Sequence, residues 1–129
     1  MTKQTLLTFL LIIVTVSFLS AQDKSGDKPV MKNYFMVFLM KGQNRSQDSL
    51  EVEKIQEGHM ANIRRLAEEG KLIVAGPFLD DGNLRGIFIF DVPTMEDAKA
   101  LCETDPAIKS GRLSYEIHPW MTQKGVCLK

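Results

Sequence analysis

Among the 129 residues are two histidines, the side chains best suited to take or give a proton near neutrality, since an unperturbed imidazole titrates at about pH 6.5. Only His59 stands where such chemistry would be shielded from water. Val52, Ile55, His59, Ile63 and Leu66 recur at steps of three and four, so they share a helical face that is apolar except for the histidine, which must point inward. The most informative acid is Asp105, directly before Pro106, where it caps a short helical turn that Gly111 closes. A carboxylate beside an inward imidazole fixes its tautomer. Asp105 reaches that place only if the loop before its short helix folds back beside the first helix. On the residues alone, a core histidine bonded to backbone, with Asp105 serving only as a cap, is the simpler reading, because one inward histidine is weak evidence of a site.

Other chemistries find less support. His118, next to Pro119 and Trp120, is read as a partly solvated strand terminus. Two histidines in separate elements with no spacing pattern make a poor metal site, since even a catalytic zinc usually takes three protein ligands. No metal and no cofactor is expected. Asp80 and Asp81 precede Gly82 as turn formers, and the seven methionines are gap-fillers in core and interface. Neither Gly-x-Ser-x-Gly nor Gly-x-Gly-x-x-Gly occurs, so covalent serine hydrolysis and dinucleotide binding lack support. Cys102 shares a helical face with Ala98 and Leu101 and is read as a small core group, whereas Cys127 lies in a polar tail; a bridge between them is the less favoured reading.

The elements that must position these groups follow in order. Asn33 to Met40 is apolar on both alternating faces, as a central strand covered on both sides would be. After the polar loop Gly42 to Asp48, the helix bearing His59 starts near Ser49 or Leu50 and ends at Gly70, a left-handed cap. Leu72 to Ala75 is a strand stopped by Gly76-Pro77, and Gly86 to Phe90 is a second strand apolar on both faces. Thr94 caps a helix over Met95 to Glu103, the Asp105-Pro106 turn follows, and Leu113 to Ile117 alternates like an edge strand that His118-Pro119-Trp120 ends.

Strand, helix, strand, strand, helix, strand closes as an α+β, ferredoxin-like βαββαβ sandwich: a four-stranded antiparallel sheet with two helices on one face. The strands that are apolar on both sides leave the other face to meet something else, most simply the same face of a second copy. A homodimer, and hence a dimeric α+β barrel, is expected.

Lys3, the uncharged run Leu6 to Leu19 and the small residues Ser20 and Ala21 have the layout of a secretory signal peptide cut after Ala21. The run is shorter than the roughly 20 residues that span a bilayer, so no stable membrane insertion is expected after cleavage. Removal of residues 1–21 takes away one lysine and no acid, which leaves 15 basic against 16 acidic residues. That near-neutral balance, with scattered basic residues, argues against nucleic acid or an anionic membrane as partner and leaves a small-molecule ligand open. Residues 22–32 are read as a flexible linker, 33–121 as the folded domain and 122–129 as a C-terminal tail, in a protein that is exported to the periplasm or secreted.

The helix with His-Met-Ala-Asn-Ile-Arg-Arg-Leu, the strand ending Ala75-Gly76-Pro77 and the later Asp105-Pro106-Ala107-Ile108-Lys109-Ser110-Gly111 together resemble the YCII-related domain family of dimeric α+β barrels. The resemblance covers about residues 33 to 121. It implies a small-molecule enzyme, the dehydrochlorination of a chlorinated hydroxyhydroquinone being among the family's reactions, and a His-Asp pair as catalytic centre. Carried over by motif, that pair is His59 and Asp105. The resulting expectation is cofactor-independent acid–base chemistry, elimination or isomerisation, on a small cyclic or aromatic substrate. Gly76 and Pro77 would shape the pocket wall, with backbone groups near Ser110 and Gly111 as hydrogen-bond donors. The alternative is a non-catalytic periplasmic module for ligand binding or assembly on the same fold.

Overall fold

A computed structural model describes residues 28–126; the expected signal segment, residues 22–27 of the linker and Cys127 lie outside the described residues. Seven elements follow one another: β1 (Met31–Lys41), α1 (Ser49–Glu68), β2 (Leu72–Pro77), β3 (Leu84–Phe90), α2 (Met95–Cys102), α3 (Pro106–Lys109) and β4 (Leu113–Gln123). The strands form one antiparallel sheet in the order β2-β3-β1-β4, so the two strands that are apolar on both sides occupy its centre. This is the ferredoxin-like α+β arrangement.

Local chemistry sets the boundaries. Asp48 caps α1 by accepting from the Glu51 N–H, and α1 ends in a turn with Gly70 at φ 68°, where Gly70 and Lys71 donate back to the carbonyls of Ala67 and Leu66. Thr94 caps α2 and Asp105 caps α3, with Pro106 in the first turn where its missing N–H costs nothing.

All four strands run further than their sequence pattern suggests: β2 continues through Gly76 and Pro77, its expected stop, β3 starts at Leu84, and β1 and β4 lengthen together. β4 does not stop at Ile117: it carries on through His118, Pro119 and Trp120, and its pairing with β1 reaches Met31 opposite Gln123. An edge strand accepts a proline wherever the N–H would point away from the ladder, so Pro119 does not end it. The same pairing draws Met31 and Lys32 out of the expected linker, and Thr122 and Gln123 out of the expected tail, into the sheet.

Val37 and Leu39 of β1, Leu72 of β2 and Phe88 and Phe90 of β3 meet Leu66 of α1 and Ala98 and Cys102 of α2 in the core. The helices thus cover one face. On the opposite, open face, Met36 and Phe38 stand beside Ile89 and Ile87 of β3, and Tyr34 beside Trp120 of β4. Met36, Phe38, Ile87 and Trp120 are half-buried, whereas Ile89 and Tyr34 are each 8% exposed, Tyr34 tucked against Trp120.

Candidate active site

His59 lies in the middle of α1, facing the sheet, and Asp105 lies in the turn that joins α2 to α3. Their meeting depends on how closely α3 approaches α1. Gly58 supplies the room: a Cβ at that position would come within 2.9 Å of Pro106 Cγ, so a larger residue would push the α3 turn away. From the other side Asn62, buried one turn beyond His59, accepts from the Thr104 hydroxyl at 3.0 Å and from Arg65 at 2.7 Å, which ties the residue before Asp105 to the helix.

Held in this way, Asp105 Oδ2 stands 2.7 Å from His59 Nδ1, while its Oδ1 accepts from the Ala107 N–H at 2.8 Å. Cap and histidine partner are one carboxylate. Asp105 has no solvent exposure and the His59 side chain 12%. An ionised carboxylate can only accept, so Nδ1 carries the hydrogen and Nε2 remains for a molecule outside. Phe88 lies along the ring at 6.0 Å between centroids and 25° between planes, which limits its rotation.

The histidine sits in the lining of a cleft of about 440 Å³ between α1, the end of β2, the first part of β3 and the start of β4. Such a volume suits a ligand of one or two rings. Gly76 and Pro77 line it, as does Phe88. Ser110 and Gly111 do not, and their amides are already engaged: Ser110 donates to the Pro106 carbonyl and Gly111 to that of Ile108. The expectation that they offer donors to a substrate is corrected on that ground, because both N–H groups close the turn after α3. Their carbonyls instead hold the loop between β1 and α1, accepting from Asn44 Nδ2 and from the Asn44 amide at 3.0 Å each.

Three residues that motif reasoning passed over also line the cleft: Arg45 from that loop, Arg85 from β3 and Arg112 just before β4. In the sequence they were indistinguishable from other scattered basic residues. His118, by contrast, is 56% exposed on the open face, 3.7 Å from Glu116. Cys102 is fully buried in the core; burial first, then the charges of Asp105 and Glu103, push its thiol up to about 12.

The described residues thus form an α+β sheet with one helix-covered face, and a buried carboxylate stands beside an imidazole at the wall of a cleft between first helix and sheet. This chain belongs to the YCII-related domain family, whose model matches residues 35–121. Among solved structures, the 5-chloro-2-hydroxyhydroquinone dehydrochlorinase of Burkholderia phenoliruptrix, in complex with 2,5-dihydroxybenzoquinone, is similar in fold. The TM-score is 0.51 and the identity 23%, over 67% of this chain and 92% of that one. No curated protein matches the chain.

Proposed function

We propose that this protein is a cofactor-independent enzyme that performs acid–base chemistry, elimination or isomerisation, on a small cyclic or aromatic substrate. The observation that carries the reading is the 2.7 Å contact between His59 Nδ1 and the fully buried Asp105 at the wall of the cleft. Asp105, fixed by the Ala107 N–H, holds the imidazole so that Nε2 takes a proton from a hydroxyl or an acidic C–H of the ring. In an elimination from a hydroxylated ring, one hydroxyl proton is lost and the carbon that bears the halide takes a proton to give the keto tautomer. Loss of a second hydroxyl proton to Nε2 then sends its electron pair through the ring to expel the halide. The net loss is one proton and one halide, and no oxidant is consumed. The solved dehydrochlorinase of similar fold makes 5-chloro-2-hydroxyhydroquinone the first substrate to try. Gly76 and Pro77 shape the wall against the ring.

Two further parts of the reading rest on separate observations. The signal-like segment over residues 1–21 supports export to the periplasm or beyond. Amino-terminal sequencing of protein recovered from outside the cytoplasm should begin at Gln22. The open apolar face, with Met36, Phe38, Ile87 and Ile89 side by side, supports a homodimer joined through that face. The purified protein should sediment at about twice the monomer mass at micromolar concentration.

Chloride release from the chlorinated hydroxyhydroquinone, and from a panel of related ring compounds, tests the reaction. Turnover by wild type and not by His59→Gln is the expected result. Saturable binding of ring compounds with no turnover by either protein would favour the non-catalytic binding module.

A further inference from the structure

The chain as a whole is balanced, with 16 basic and 16 acidic residues, yet the cleft beside His59 is not. Arg45, Arg85 and Arg112 line it and, among the described residues, no carboxylate does. The three come from separate elements, so no local run of basic sequence accounts for their meeting. Their hydrogen bonds go to neutral acceptors: Arg45 Nη1 to the Arg112 carbonyl at 3.1 Å, Arg85 Nη1 to the Asp80 carbonyl at 3.2 Å, and Arg112 Nη1 to Gln47 Oε1 at 3.3 Å. Among the described residues none of the three enters an ion pair, whereas Arg65, Lys32 and Lys71 each find an acid. Partial desolvation, and then the charges of Arg112 and Arg85, hold Arg45 below its ordinary value, so the cluster repels itself.

The backbone that presents two of these charges, Arg45 and Arg112, is pinned. Gly42 donates to the Arg112 carbonyl at 2.9 Å and Asn44 to that of Gly111 at 3.0 Å, so the loop bearing Arg45 is laced to the segment bearing Arg112. The guanidinium groups are gathered before any ligand arrives, and gathered like charges gain most from an anion that neutralises them. Apart from His59 and Gln56, the remaining lining, including Ile55, Ile63 and Phe88, is apolar and suits a ring.

We infer that the cleft is built for an organic oxyanion: a ring compound carrying a carboxylate, enolate or similar ionised oxygen group, held by Arg45, Arg85 and Arg112 with its ring against Phe88 and His59. The inference rests on the cleft being the substrate site of the proposed reaction and names the class of substrate. The arginines hold ionised oxygens while His59 handles the proton.

A matched pair of probes separates charge from shape. 4-Hydroxybenzoate and 4-hydroxybenzamide differ little in size and differ in charge, and their binding to the purified protein can be followed by NMR titration of backbone amides. The benzoate should bind at least about tenfold more tightly, with the largest shifts at the cleft. That preference should shrink in Arg85→Gln and vanish in Arg45→Gln/Arg112→Gln, whose amide spectrum serves as the check on folding. Equal affinities, a preference that survives the double substitution, or no saturable binding of either probe would overturn the inference. The His59→Gln protein keeps the two readings apart. A charge preference together with ring turnover indifferent to His59→Gln would sink the proposed reaction and leave the anion site standing. Turnover lost in His59→Gln without any charge preference would do the reverse.

Discussion

On each side of the sheet a histidine lies near a carboxylate. On the helix-covered face His59 meets Asp105 at 2.7 Å, the acid wholly buried and its second oxygen spent on the cap of α3; on the open face His118 lies 3.7 Å from Glu116, and both side chains are more than half exposed. Within a single copy Glu116 is exposed and free to choose among rotamers, so its contact with His118 is worth little there. Asp105 cannot turn away, because the Ala107 N–H and the histidine hold one oxygen each. A carboxylate near an imidazole is common; one whose geometry is fixed by a second, structural bond is what a proton-transfer site needs.

The sharpest way to break the comparison is to remove the imidazole on each face in turn. His59→Gln should cost about 10²–10⁴ in turnover, the usual contribution of a positioned acid or base. His118→Gln should leave turnover unchanged and stability within about 0.5 kcal/mol. Equal losses at both positions would mean that burial and fixation do not distinguish the two sites.

A second test concerns the open face as an interface. Phe38→Lys places a charge between Ile87 of β3 and Glu116 of β4. The substitution should shift sedimentation from dimer to monomer while the amide spectrum around His59 stays put. A dimer that tolerates the charge would show that the copies meet elsewhere.

Smaller effects sharpen the account of how the site is assembled. Gly58→Val should lower stability by about 1–3 kcal/mol, the usual cost of overpacking, and reduce turnover by pushing Pro106, and with it Asp105, away from His59. A melting curve and a turnover assay on one preparation check both. Cys102 and Tyr115 are each held protonated in the fold, both pushed up to about 12 from ordinary values of 9.0 and 10.0. At pH 9 to about 12 the unfolded chain therefore binds fewer protons than the native one, so stability should fall as pH rises through that window. Urea midpoints measured across it should show the decline, and Cys102→Ala should flatten part of it.

The fold was legible because its strands and helices differ in period and its caps are conventional: Thr94, Asp105-Pro106 and Gly70 each sit where local chemistry demands them. The end of β4 was not. His118-Pro119-Trp120 has the look of a stop, and only the pairing with β1, a long-range fact, carries the strand to Gln123. At the site, His59 was visible from the helical face and Asp105 from its cap, but that one reaches the other depends on Gly58 and Asn62. Their role lies in the spacing between α1 and α3, which no local pattern encodes. The arginines were hidden for a related reason. Arg45, Arg85 and Arg112 are far apart in the chain and join only when the loop before α1 is laced to the start of β4. Ser110 and Gly111 offer no free amide donors, because a turn's own hydrogen bonds consume them, and that use is not written in the turn's residue types.

The central claim is that Asp105 fixes which nitrogen of His59 carries the hydrogen. Nitrogen-15 chemical shifts of the imidazole at about pH 9, above the ordinary titration range of the group, report this without any substrate. In the wild type the account predicts a protonated Nδ1 and a bare Nε2. In Asp105→Asn, where the amide keeps the cap on Ala107 through its oxygen and turns an N–H toward the ring, the hydrogen should move to Nε2. A bare Nδ1 in the wild type, or a tautomer that ignores Asp105→Asn, would contradict it.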